Sequence, residues 1–102
     1  MSLKKKLKSV SRIIISKASF RNLPHCPGVY VFWKYDTAIY VGKAIDLKNR
    51  LISYLLENLY PKTKMMMENA NHLSYIKVDS ELEALLLEAN LIHDYKLYIK
   101  NI

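Results

Sequence analysis

Apolar and polar residues follow strand-like patterns in three parts of the chain. Residues 29–35 and 38–43 are rich in β-branched and aromatic side chains, which is typical of strands. Asp36-Thr37 between them predicts a tight hairpin. Residues 73–78 alternate between apolar and polar side chains and predict a third strand. The three segments together predict a small antiparallel sheet.

The register of this hairpin decides which tyrosines share a face of the sheet. A strict two-residue loop would pair Trp33 with Tyr40 and Tyr30 with Lys43. Because side chains alternate between the faces of a strand, Tyr30 and Tyr40 would then point to opposite sides. We predict instead that both tyrosines serve one site, which requires an odd-numbered loop or a β-bulge.

Helical spacing of apolar residues appears at the start and in the middle of the chain. A helix over residues 3–19 is predicted by the apolar positions Leu3, Leu7, Val10 and Ile14. Asp46 is a candidate N-cap for a second helix, which we expect Pro61 to end. A short helix is predicted over residues 62–71.

The last helix has the strongest sequence signal, because Ser80 and Glu83 form a capping box. Its predicted core face consists of Leu82, Leu85, Leu86, Ala89 and Ile92. Glu88 lies at the edge of that face, and the helix is expected to run to about Lys96. The order hairpin, helices, strand, helix indicates an α/β or α+β fold, in which helices flank a three-stranded antiparallel sheet.

The composition indicates one globular domain. The chain has 102 residues, of which 51% are apolar, without an uninterrupted apolar run long enough to cross a membrane. The broken apolar run behind the basic N-terminus does not suit a signal peptide, so we expect a cytoplasmic protein with no membrane partner. The single cysteine, Cys26, excludes an internal disulfide.

The charge is strongly positive. Sixteen Lys and Arg residues against nine Asp and Glu residues give a net charge of +7. This balance indicates a polyanionic partner, with nucleic acid first, although charge used only for solubility is an alternative. Acidic residues cluster late in the chain, at Asp79, Glu81, Glu83 and Glu88. A basic protein with one acidic patch often needs that patch for a function, such as binding a metal.

Three stretches of sequence resemble a known family. They are Pro27-Gly28-Val29-Tyr30, Ile39-Tyr40-Val41-Gly42-Lys43-Ala44 with the helix that follows it, and the segment from Ser80 to Ile92. On these motifs, residues 23–102 resemble the GIY-YIG nuclease family, and within it the N-terminal endonuclease domains of UvrC excinucleases. Residues 1–22 lie outside the resemblance, as a basic and helical N-terminal extension.

The resemblance implies an active site that hydrolyses phosphodiester bonds of DNA. Tyr40 would be the general base or the phenol that orients the attacking water, with electrostatic support from Lys43. Tyr30 and Tyr54 would contact that water or the scissile phosphate. Arg50 would hold the phosphate, for which its fork of donors is better suited than a lysine.

The resemblance also implies one Mg²⁺ or Mn²⁺ ion, with Glu88 as its single protein ligand. Gly42 would let the backbone approach the phosphate. The family has a late asparagine after a proline-tyrosine stretch. Asn101 is the nearest candidate, although its spacing from Glu88 is shifted by one and the proline is missing. DNA and other excision-repair proteins are the implied partners.

The chemistry of these residues is consistent with the implied roles. A phenol with a pKa of about 10 is a poor base at neutral pH, but a nearby Lys43 or Arg50 would favour the phenolate. One carboxylate is enough for Mg²⁺, which keeps several waters. The main alternative is a nucleic-acid-binding module that kept the fold and lost efficient turnover. A further alternative is one piece of a repair assembly that acts only with its partners.

Overall fold

The computed structural model of the protein describes residues 11–95. Within that range the elements are, in chain order, β1 (Ile13–Ile14), α1 (Lys17–Phe20), β2 (Gly28–Lys34), β3 (Thr37–Ala44), α2 (Leu47–Ser53), α3 (Pro61–Asn69), β4 (His72–Lys77) and α4 (Glu81–Tyr95). Among residues 11–95 no helix has the length and apolar character needed to span a membrane. The predicted α+β class is confirmed.

The strands form one antiparallel sheet in the order β1-β4-β2-β3. Strand β2 is therefore central, whereas β3 lies at an edge. The sheet has four strands rather than the three predicted, because Ile13 and Ile14 pair with Leu73 and His72 of β4.

The predicted helix over residues 3–19 is wrong at residues 11–16, where the structure has no helix, and only residues 17–19 are helical. Ile13 and Ile14 form a strand, and α1 begins only at Lys17, after Ser16 accepts a hydrogen bond from the Ser19 N–H. Consecutive β-branched residues favour the strand. Residues 3–10 lie outside the described part of the chain. The division at residue 22 stays a prediction, although β1 joins the sheet and α1 ends at a buried phenylalanine.

The β2–β3 hairpin carries the predicted β-bulge. Trp33 pairs with Ala38, whereas Phe32 pairs with Tyr40, so β3 holds one extra residue between these two pairs. The register shift places Tyr40 on the same face as Tyr30, where a strict two-residue hairpin would have separated them.

Two local boundaries differ from those predicted. The turn of the hairpin consists of Tyr35 and Asp36, with Tyr35 at a φ of 53°, rather than of Asp36 and Thr37. Pro61 begins α3 rather than ending α2, which already ends at Ser53. Proline suits the first turn of a helix because the N–H it lacks would have no helical partner there.

The sheet separates two apolar layers. On one face, β2 and β3 pack against α2 and α3 through Tyr30, Phe32, Tyr40, Leu47, Leu51, Tyr54 and Met66. On the other face, the same strands pack against α4 through Val29, Val31, Trp33, Val41, Ala84 and Leu91. Because β3 is an edge strand, residues from both layers can reach the same open surface beside it.

Helix α4 buries a different face from the predicted one. Four of the five predicted core residues are exposed, namely Leu82, Leu85, Leu86 and Ala89. Ala84 and Leu91 are buried instead, and Ile92 is partly buried. Leucines occupy two neighbouring faces of this helix, so the spacing alone does not choose between them. The Ser80 cap is confirmed, because its Oγ accepts a hydrogen bond from the Glu83 N–H at 3.2 Å.

Candidate active site

Hydrogen bonds join three of the predicted site residues. The hydroxyls of Tyr30 and Tyr54 lie 2.7 Å apart, and Arg50 Nε donates to the Tyr30 hydroxyl at 3.3 Å. The guanidinium carbon of Arg50 lies 5.5 Å from the centre of the Tyr54 ring, within cation–π range. Tyr30 belongs to β2, Arg50 to α2, and Tyr54 caps the C-terminal end of α2. The group therefore fixes the arginine against the central strand.

Tyr40 joins this group on the same face. Its ring centre lies 6.1 Å from that of Tyr30, and only 7% of Tyr40 is exposed. Burial and the neighbouring Tyr54 raise the pKa of Tyr40, and the Arg50 guanidinium offsets this only in part. Burial likewise raises the pKa of Tyr30. Arg50 thus favours the phenolate of Tyr40, as predicted, but burial has the larger effect in the opposite direction.

Gly42 makes room for a tyrosine. It pairs with Tyr30 across the hairpin, and a Cβ on Gly42 would overlap the Cζ and hydroxyl of that ring. On this face, the need for a glycine is explained by the Tyr30 ring and not by the predicted approach of a phosphate. The glycine is needed because the Tyr30 phenol lies where a side chain would be.

Glu88 and Lys43 lie on the opposite side of the edge strand. Side chains alternate along β3, so Lys43 points toward the layer of α4, away from Tyr40. Burial raises the pKa of the half-buried Glu88, while the charge and the backbone N–H of Lys43 lower it. Glu88 in turn raises the pKa of Tyr40, so the carboxylate and the phenol interact around the edge. Arg50 is a cation that lowers the pKa of Tyr40, and the support of Tyr40 by Lys43 stays a prediction.

The donor set suits one weakly held divalent ion. Among residues 11–95, no three His, Cys, Asp or Glu side chains are grouped closely enough to hold a metal. Glu88 is a single carboxylate, partly open to solvent and oriented by the Lys43 N–H. Mg²⁺ commonly takes one or two carboxylates and completes its shell with waters and substrate phosphates. Glu88 therefore fits such an ion.

A groove with a volume of about 840 Å³ opens beside these residues. It shares Lys43 and Arg50 with the site just described. Ile45, Leu82 and Leu85 form the apolar part of its lining, which we call the apolar wall. Sequence reasoning missed this wall, because it assigned both leucines to the core.

A network of hydrogen bonds fixes the start of α2, the helix that carries Arg50. The Asp46 carboxylate accepts a hydrogen bond from the Asn49 N–H at 2.9 Å, which confirms the predicted N-cap. His25 Nδ1 lies 2.8 Å from the same carboxylate. The Asn49 N–H and, to a smaller extent, His25 lower the pKa of Asp46. No sequence signal had pointed to His25.

The structure brings together most of the predicted site residues. Tyr30, Tyr40, Arg50 and Tyr54 lie on one side of β3, and Glu88 with Lys43 lies on the other. Asn101 lies outside the described residues, so its role stays a prediction.

Comparisons with known proteins agree on one family. The family model described as the UvrC-like GIY-YIG domain matches residues 26–98. UvrABC system protein C of Clostridioides difficile is 52% identical over 79 residues, which cover 74% of this chain and 13% of that protein. The corresponding protein of Prosthecochloris aestuarii is 42% identical over 90 residues, or 85% of this chain and 15% of the relative. The chain thus spans a small part of the length of these relatives.

Solved structures match the fold over most of the chain. The GIY-YIG N-terminal endonuclease domain of UvrC from Thermotoga maritima, bound to magnesium as its catalytic divalent cation, superposes with a TM-score of 0.73 at 42% identity. That match covers 79% of this chain and 90% of the other. A point mutant of the same domain with its catalytic divalent cation gives a TM-score of 0.75 at 40% identity, covering 82% and 94%.

Proposed function

Because this chain belongs to the family of UvrC-like GIY-YIG domains, we propose that it is a divalent-metal-dependent endonuclease domain. Its reaction is the hydrolysis of DNA phosphodiester bonds in excision repair. The observation that carries the proposal is the convergence of Tyr30, Tyr40, Arg50 and Tyr54 at the edge strand, with Glu88 across it.

Arg50 binds the scissile phosphate in this proposal. Its Nε is directed to Tyr30, and its remaining N–H groups are available at an exposed position facing the groove. Guanidinium groups stabilise negative charge that develops on phosphoryl oxygens, because their donors match the geometry of those oxygens. The hydrogen bond to Tyr30 fixes Arg50 before substrate binds.

The phenols orient the attacking water. With raised pKa values, Tyr30 and Tyr40 are neutral at neutral pH and can each donate an O–H hydrogen bond or accept one. Glu88 raises the pKa of Tyr40, which shows that the two groups interact, so we assign the Tyr40 hydroxyl to the water. For Tyr40 to accept a proton, additional positive charge must lower its pKa in the complex.

Glu88 is the proposed metal ligand, and Lys43 orients it through the backbone N–H. A divalent ion at this carboxylate would supply charge stabilisation at the phosphate and the leaving oxygen. Glu88 must be ionised to bind it, and the charge of Lys43 favours that form.

The proposed setting is that of the relatives. The curated relatives are UvrABC system proteins, so we propose that DNA and other excision-repair proteins are the partners of this domain, and that it works in the cytoplasm. Residues 23–102 are the proposed nuclease domain. The basic segment before it, which includes Lys4, Lys5 and Lys6, would contact the phosphate backbone.

Nicking of supercoiled plasmid by the whole chain tests the proposal. Mg²⁺ or Mn²⁺ should support nicking, and EDTA should stop it. Tyr40→Phe, Arg50→Ala and Glu88→Gln should each reduce nicking by about a hundredfold or more. Glu68→Gln, an exposed acid on α3, is the matched control and should cut normally. Salt-sensitive DNA binding without any nicking would favour the binding module instead.

A further inference from the structure

The apolar wall of the groove has no partner within the described chain. Ile45 is 67% exposed, Leu82 64% and Leu85 48%. The two leucines precede Glu88 on the same helix, α4, and Arg50 also lines the groove. Solvent-exposed apolar residues grouped in a concave surface commonly mark a binding site.

We propose that the apolar wall receives the base of an unpaired nucleotide beside the scissile phosphate. The preferred substrate is then DNA whose strands are locally separated, rather than intact duplex. This inference rests on the proposed nuclease function and specifies the form of its substrate.

The two kinds of lining in the groove match the two parts of a nucleotide. Lys43 and Arg50 mark its catalytic end, since Lys43 acts on Glu88 and Arg50 donates to Tyr30. Phosphate is attracted to that end. Aliphatic side chains instead gain free energy by covering the flat face of a base, which water solvates poorly.

An intact duplex offers little to such a wall. Its base faces are covered by their neighbours in the stack, so its accessible apolar surface is limited to thymine methyl groups and the edges of the sugars. Placing phosphates against Leu82 or Leu85 would remove them from water without compensation. An unpaired nucleotide exposes its base face, so its phosphate can reach Arg50 while its base contacts the apolar lining of the same groove.

The two acidic residues of the groove, Asp46 and Glu81, do not prevent a phosphate from binding beside Lys43 and Arg50. Asp46 is held by the Asn49 N–H and by His25. Glu81 belongs to the first turn of α4, where the helix dipole favours a carboxylate. The volume of about 840 Å³ is large enough for a nucleotide.

Two substrates of the same sequence test the inference. One is a labelled duplex, and the other carries a short central bubble. Nicking in Mg²⁺ should be about tenfold faster near the bubble, as expected for one stacked base. The Leu82→Ser/Leu85→Ser double variant should bring this ratio close to one. Met65→Ser, 66% exposed on α3 and outside the groove, is the matched control and should keep the ratio.

A binding measurement separates this inference from the nuclease proposal. In a Glu88→Gln background, 2-aminopurine at the unpaired position should change its fluorescence on binding, and the two serine substitutions should abolish that change. A fluorescence change without nicking by any of the proteins would support base binding at the apolar wall and contradict the proposed nuclease function. Equal nicking of both substrates by the unmodified protein would contradict base binding at the apolar wall and would still support the nuclease function. A bubble preference that is unchanged in the double variant would also contradict base binding at the apolar wall. The wall would then be a candidate binding surface for a protein partner.

Discussion

The hydroxyls of Tyr30 and Tyr54 lie 2.7 Å apart, and the Tyr30 oxygen also accepts a hydrogen bond from Arg50 Nε. A phenol that accepts from an arginine is free to donate its own proton. Tyr30 can therefore donate to the Tyr54 oxygen, which leaves the Tyr54 O–H to point toward another acceptor. The arginine thereby sets the direction of both phenolic protons.

Removing the Tyr30 hydroxyl tests this relationship. Tyr30→Phe should lower the nicking rate by at least about tenfold, because Arg50 and Tyr54 both lose their shared partner. Unfolding free energy should fall by about 1 kcal/mol, since the buried Tyr54 hydroxyl loses a hydrogen bond. Plasmid nicking and urea unfolding measure the two effects. Tyr60→Phe, at a site 84% exposed, should change neither. Full activity in Tyr30→Phe would remove Tyr30 from the catalytic machinery.

Gly42 and Tyr30 should be coupled in stability. Gly42→Ala places a Cβ against the Tyr30 ring and should destabilise the fold by about 1–3 kcal/mol, with a loss of nicking. The cost should be smaller in a Tyr30→Phe background, because one of the overlapping atoms is then absent. A double-mutant cycle by urea unfolding measures this coupling. Equal costs in both backgrounds would show that the glycine serves a purpose other than admitting the phenol.

Much of the fold around this pair could be predicted from local patterns. The strands, the Asp46 cap and the Ser80 cap each depend on a few neighbouring residues, and the structure confirms them. The bulge could be predicted only from the requirement that Tyr30 and Tyr40 share a face, because Asp36-Thr37 is a weak turn signal.

The errors arose where tertiary packing decides between local alternatives. Apolar spacing in residues 3–19 fits a helix, yet Ile13 and Ile14 add a strand to the edge of β4. On α4, two leucine-bearing faces are equivalent in sequence, and the strands bury the one with the small Ala84. The pKa of Tyr40 likewise depends on burial that no spacing reveals.

The cap of α2 should affect activity without contacting DNA. Asp46→Ala removes the acceptor for the Asn49 N–H and should loosen the start of the helix that carries Arg50, lowering both Tm and nicking. Asp46→Asn keeps an oxygen acceptor and is the matched control, with a smaller effect on Tm at pH 7. If Asp46→Ala matched the parent in nicking rate, Arg50 would not depend on the cap for its position.

The same pair of variants has a predictable pH dependence. The pKa of Asp46 is lowered in the folded state, so its stabilising contribution is complete above the ordinary value of 3.8 and is lost as pH falls through the folded pKa. The Tm difference between the parent and Asp46→Asn should therefore shrink as pH falls below about 4. A difference that stays constant down to pH 2 would contradict a role for the carboxylate charge.

Glu88 should destabilise the metal-free protein. Burial raises the pKa of Glu88, so the folded state holds its proton more tightly than the unfolded chain does. Stability then falls as pH rises from the ordinary value of 4.5 through the raised pKa, and the penalty persists at neutral pH. Glu88→Gln carries no charge, and should be more stable than the parent at pH 7 in EDTA while losing nicking. Below pH 4.5 the two proteins should have the same stability.

Mg²⁺ should make the parent protein more stable than Glu88→Gln, because only the parent binds the ion. An ion that binds only the folded state raises Tm with its concentration, so Mg²⁺ should stabilise the parent and leave Glu88→Gln unchanged. Thermal unfolding across a Mg²⁺ titration measures this effect, with Glu68→Gln as the control that should respond like the parent. A Mg²⁺-dependent rise in Tm that persists in Glu88→Gln would place the ion on other ligands. A stability gain at pH 7 that also persists at pH 4 would show that the substitution acts through packing rather than through the charge of the carboxylate.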